Sequence, residues 1–131
     1  MARYFTRQEA ESLLPQLEPL LRELQQRYPA MQTLRQELAL LHQRMQGNGH
    51  GLQGKLAQLT KEATAAAEEV NQLVQRILRF GCQLKDPQMG LIDFPAQREG
   101  REILLCWRLG EQGINWWHET DAGFQGRQPL E

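Results

Sequence analysis

The feature that most constrains this chain is a heptad repeat of apolar residues that runs for many turns, is cut by a glycine cluster, and then resumes. Leu17, Leu24, Met31, Leu38 and Met45 form one row, and Leu13, Leu20, Leu34 and Leu41 form a second that only Arg27 interrupts. Beyond Gly47-Asn48-Gly49-His50-Gly51, Leu52, Leu59, Ala66, Leu73 and Phe80 make one row, and Leu56, Ala63, Val70 and Ile77 the other. This spacing gathers apolar side chains on one stripe of an α-helix, and glycine and asparagine accept the positive φ that a reversal needs. The pattern predicts a long, coiled-coil-like antiparallel helical hairpin over residues 6–81 with its turn at 47–51.

Local signals agree at both ends. Thr6-Arg7-Gln8-Glu9 has the form of a capping box, and Gly81 supplies a C-terminal stop. Pro15, Pro19 and Pro29 each remove an amide donor, so a kink or short break is expected near each. The small residues Ala63, Ala65, Ala66 and Ala67 mark the closest approach of the helices. At 1.5 Å per residue the second helix is roughly 43 Å long and the first roughly 60 Å. The overhang, around Leu13 to Leu21, is expected to meet the sheet formed by the rest of the chain.

From Cys82 the periodicity changes. Leu91 to Ala96, Glu102 to Leu109 and Ile114 to Glu119 read as strands separated by turn signals at Glu99-Gly100 and Gly110 to Gly113, with Cys82 to Lys85 a fourth, shorter candidate. The fold class is therefore α+β: the hairpin, then a small antiparallel β-meander of three to four strands and a C-terminal loop over residues 82–131. The 131 residues suffice for a single domain, 1–131, with its own core.

Charge narrows the partners. The formal net charge is -1 with both signs interspersed, which argues against nucleic acid and anionic membrane. No apolar run has the length of a signal peptide or a membrane span, so a cytoplasmic location is expected. Cys82 and Cys106 are expected to be free thiols, Cys106 lying inside the apolar run Ile103 to Trp107.

The densest group of reactive side chains is Trp116-Trp117-His118-Glu119-Thr120-Asp121, with Gly123, Gly126 and Arg127 close behind. On a strand Trp116 and His118 share one face, Trp117 and Glu119 the other. If the strand ends there, His118, Glu119 and Asp121 converge with Asp93 on a divalent metal. The plainer alternative is a His118 hydrogen-bonded within a half-buried sheet, with the carboxylates capping the following turn. Arg108 and Arg127 suit an anion clamp, or else ion pairs with Glu111, Glu119 or Asp121. Asp93, between Ile92 and Phe94, needs a partner, for which Arg108 is the candidate. Trp107, Trp116 and Trp117 fit core and sheet-face packing better than a stacking platform, at least one being expected against the helices, with Trp107 and Trp117 the candidates for ligand stacking. His42 and His50 read as surface histidines, and no nucleophile triad, phosphate loop or zinc motif is present.

Leu84-Lys85-Asp86-Pro87, Gly90 to Ala96, Gly100-Arg101, Leu105 to Arg108, Gly110-Glu111, Trp117-His118-Glu119, Gly123-Phe124, Gly126-Arg127 and Pro129 together resemble a prokaryotic family catalogued as domain of unknown function two-two-zero-three. Tyr4-Phe5-Thr6, Glu9-Ala10 and Leu13-Leu14-Pro15 are similar as well. The resemblance implies no activity, substrate or cofactor. Two expectations about function follow from the residues. The first is a noncatalytic interaction or small-ligand-binding protein, forming a homodimer or holding a protein partner through the hairpin, because Leu14, Leu21 and Leu40 fall outside its seam. The alternative is a metal-assisted hydrolase with its site near the end of the last strand.

Overall fold

The computed structural model describes residues 3–48 and 51–130. Helix α1 spans Arg7–Asn48 and α2 spans Gln53–Leu78. The Thr6 hydroxyl accepts from the Glu9 amide at 3.0 Å and the Glu9 carboxylate accepts from the Thr6 amide at 2.9 Å, so the capping box forms as expected. At the turn, Gly49 and His50 lie outside the described residues.

The prolines do not break α1, which is one continuous 42-residue helix. All three are exposed. The carbonyls that lose their donors belong to Glu11, Pro15 and Gln25, which are partly or fully exposed, so water has access to replace the missing amide. The α2 seam follows both expected rows, with Leu59, Ala63, Val70, Leu73 and Ile77 buried. In the first half of α1 the stripe is rotated: Leu14, Leu17, Leu21 and Leu24 are buried, whereas Leu13 and Leu20 are only partly so. The cause is the sheet, which packs on the overhang and draws Ala10, Leu14, Leu17 and Leu21 into one core with Ile92, Phe94, Leu105 and Trp107. Two of the three apolar residues outside the heptad seam are thereby covered, and Leu40 remains 59% exposed.

Five antiparallel strands lie in chain order: β1 Gln83–Asp86, β2 Leu91–Arg98, β3 Arg101–Arg108, β4 Trp116–Glu119 and β5 Gln128–Pro129. The last of these lies in the segment expected to be a loop and pairs with β4. Between β2 and β3 the two-residue turn Glu99-Gly100 has positive φ at both positions, 53° and 78°, the combination that matches the twist of a tight hairpin. It aligns Arg98 with Arg101 and so places Asp93 opposite Cys106 and Ile92 opposite Trp107. Ile92, Phe94, Ala96, Ile103, Leu105, Trp107 and Trp117 face the helices. Leu91, Asp93, Leu104, Cys106, Trp116 and His118 take the other face. Both cysteines are buried free thiols. Among the described residues no helix is long and apolar enough to cross a membrane.

Phe94 is 0% exposed and meets Phe5 edge-on at 5.2 Å between ring centroids. Phe94→Ala should therefore cost about 3–5 kcal/mol, while Lys61→Ala on the exposed flank of α2 stays within about 0.5 kcal/mol. Urea denaturation followed by circular dichroism measures both.

Candidate functional site

On the sheet face away from the helices, an apolar rim of Leu91 and Leu104 surrounds polar groups that have almost no contact with water. Asp93 and His118 are each 1% exposed and Cys106 is 0% exposed. They stand on β2, β4 and β3 respectively, so a carboxylate and an imidazole from the two flanking strands meet directly over the strand that carries the small Cys106 side chain. His118 Nε2 lies 3.0 Å from Asp93 Oδ2 and His118 Nδ1 lies 2.8 Å from the Glu119 carbonyl oxygen. A carbonyl only accepts, so Nδ1 carries a proton. The contact with Asp93 then holds one further proton, on the ring or on the carboxyl, and the pair is neutral in both arrangements. Neutrality is what burial at this depth requires. Asp93 Oδ1 is buried and receives no hydrogen bond from nitrogen or oxygen.

The Cys106 thiol is pushed up to about 12, first by burial and then by the Asp93 carboxylate, with Arg127 acting in the opposite sense. It is protonated at neutral pH. Donor atoms of Asp93, Cys106 and His118 all lie within 4.8 Å of one another, and this is the group of potential metal ligands that converges among the described residues.

The C-terminal segment closes this face. Phe124–Gly126 forms a 3-10 turn against β4. The Arg127 guanidinium sits 4.6 Å from the Phe124 ring centroid and 5.3 Å from that of Trp116. It donates to both carboxylate oxygens of Glu111 at 2.9 and 2.6 Å, and at 3.4 Å to the Cys106 carbonyl oxygen. Burial works to raise the Glu111 carboxyl, but hydrogen bonds from Arg127 and from the Arg108 amide outweigh it and hold the group below the usual carboxylate range.

The remaining sequence candidates are distributed elsewhere. Arg108 is exposed and aligned with Leu91, and its amide donates to Glu111, so the expected partner of Asp93 is replaced by His118. Arg127 forms the expected ion pair with Glu111, and the charge and amide of Arg108 act on the same carboxylate. Glu119 turns to the opposite face, where Arg101 donates two hydrogen bonds of 2.9 Å to it. Asp121 is exposed, so neither carboxylate joins His118. Trp107 and Trp117 pack in the core beneath the helices, Trp107 Nε1 donating to the Glu111 carbonyl at 3.1 Å. The residue that sequence reasoning passed over is Cys106. The signal was available, because a two-residue turn at Glu99-Gly100 sets Cys106 opposite Asp93.

A carboxylate whose folded value lies below its unfolded one adds stability above the unfolded value, and that stability is lost as pH falls through the folded one. Glu111→Gln should cost about 1.5–3 kcal/mol at neutral pH, nearer the lower figure because Glu111 keeps some contact with water. The gap between parent and variant should narrow as pH drops below about 4.3, the ordinary glutamate value. Thermal melts of both proteins between neutral and acid pH measure it.

No curated protein and no solved structure matches the chain. A family model described as uncharacterized conserved protein (DUF2203) matches residues 3–130, which takes in the hairpin, the sheet and the C-terminal segment over Cys106. The chain belongs to that family.

Proposed function

We propose that this is a noncatalytic interaction protein that self-associates through the distal part of its helical hairpin. The observation that carries the reading is Leu40, a large apolar residue 59% exposed beside a groove of about 470 Å³. Leu41 and Leu59 line the groove, with Glu37 and Glu62 towards the sheet and Arg44 and Lys55 towards the hairpin tip. One end is thus acidic and the other basic. A second copy related by a two-fold axis near Leu40 and Leu41 would lay each acidic end on the other's basic end while covering both leucines. Single exposed leucines are ordinary on protein surfaces. What favours a second copy is the self-complementary order of charges on both helices.

The reactive groups of the sheet support a noncatalytic role. The Cys106 thiol is protonated and buried, so it lacks the thiolate a nucleophile needs. The alternative, metal-assisted hydrolysis near the end of β4, asks for a coordination position that substrate can reach. The burial of Asp93 and His118 weighs against that access.

Light scattering at micromolar concentration should give twice the mass of one chain. Glu37→Arg should reduce this to a single chain, and Glu37→Arg combined with Arg44→Glu, which reverses the order of charge, should restore the dimer. A parent protein with the mass of one chain throughout the micromolar range would refute the reading.

A further inference from the structure

We infer that Asp93, Cys106 and His118 form a closed site for a single divalent cation of borderline softness, with zinc the best fit, which ties β2, β3 and β4 together beneath the C-terminal segment. Three properties of the cluster lead there. The first is the donor set: one thiol sulfur, one imidazole nitrogen and one carboxylate, all within 4.8 Å of one another. That mixture suits zinc rather than magnesium or calcium, which take oxygen ligands. Tetrahedral zinc places its ligand atoms roughly 3.3–3.8 Å apart, so the wider separations need close by at most about an ångström while the His118 Nε2–Asp93 Oδ2 contact of 3.0 Å opens slightly.

The second is the orphan oxygen. Asp93 Oδ1 is buried and receives no hydrogen bond from nitrogen or oxygen, and the weak donor that approaches the carboxylate is the Cys106 thiol itself. A carboxylate that ligates through both oxygens, which stand closer together than tetrahedral positions do, makes a distorted four-atom set with Cys106 Sγ and His118 Nε2 and gives this oxygen a stronger partner than a thiol. The third is orientation. The Glu119 carbonyl accepts from His118 Nδ1 at 2.8 Å, which fixes the tautomer and turns Nε2 towards Asp93 and Cys106. Such a bond behind a histidine is the usual support for a metal-ligating ring.

Charge balances as well. Loading the site removes one proton from Cys106 and the one shared by Asp93 and His118, and a divalent cation takes the place of the two. Net charge in the buried region is unchanged, and the Arg127–Glu111 pair beside it stays neutral throughout. The site is structural, because all three ligands are buried and the C-terminal segment lies across that face.

The full chain, unfolded in guanidinium chloride and refolded with one equivalent of cobalt(II), should show a thiolate-to-cobalt charge-transfer band and retain one cobalt per chain after desalting. X-ray absorption of the same protein refolded with zinc should show one sulfur and otherwise nitrogen or oxygen around the metal. Cys106→Ser should abolish the cobalt band, Asp93→Asn and His118→Gln should weaken binding at least about a hundredfold, and Cys82→Ser should leave both unchanged. Parent protein that refolds to its helical spectrum without a band or bound metal would overturn the inference. So would a zinc shell with no sulfur or with two, a result that needs no variant to fold.

Discussion

The turn at Glu99-Gly100 is the constraint on which the rest of the sheet depends. With both residues at positive φ, the hairpin has a single register, and strand side chains alternate with a period of two. A slip of one residue on β2 would carry Phe94 and Ile92 away from the helices and turn Asp93 towards them. The aligned register instead gives α1 an apolar surface to sit on, and that surface determines which stripe of α1 is buried. The rotation from Leu13 and Leu20 to Leu14 and Leu21 in the overhang is therefore a consequence of sheet register, transmitted through packing.

The two faces of the sheet solve different problems. Towards the helices, aromatic and branched side chains exclude water by bulk, with Trp107 and Phe94 nearly or fully buried. Away from them, the chain covers the sheet with little more than a short C-terminal segment. That segment contributes few large apolar groups, so it holds its position through directed contacts: Arg127 between two rings and a bidentate bond to Glu111. A neutral Asp93–His118 pair beneath this cover costs far less than two separate buried charges.

The helices were readable because period and breaker act locally: the seam of α2 needed only spacing, and the reversal only the glycines around Asn48. The β2–β3 pairing was readable for the same reason, through a turn of two residues. The site was not, because its geometry depends on the longer connection from Leu109 to Asn115, which leaves the β3–β4 register open to tertiary packing. Without knowing that His118 stands opposite Leu104, nothing in the sequence selects it over Arg108 as the partner of Asp93. Arg127 was legible only as a choice, since Glu111 was one of several ion-pair partners open to it and the path of an irregular segment selects it. The prolines of α1 illustrate the same limit, for their cost depends on which side of the helix meets water.

Because α1 runs unbroken from the sheet to the hairpin tip, the distance and the angular setting between them are both written into residue count. Each added residue turns the tip by about 100°, and only a whole heptad restores its facing. A matching heptad on α2 is needed to keep the seam in phase. The hairpin is thus a ruler with coarse graduations: its reach changes in steps of about 10.5 Å, and any shorter change in length swings the groove around Leu40 to another side of the molecule.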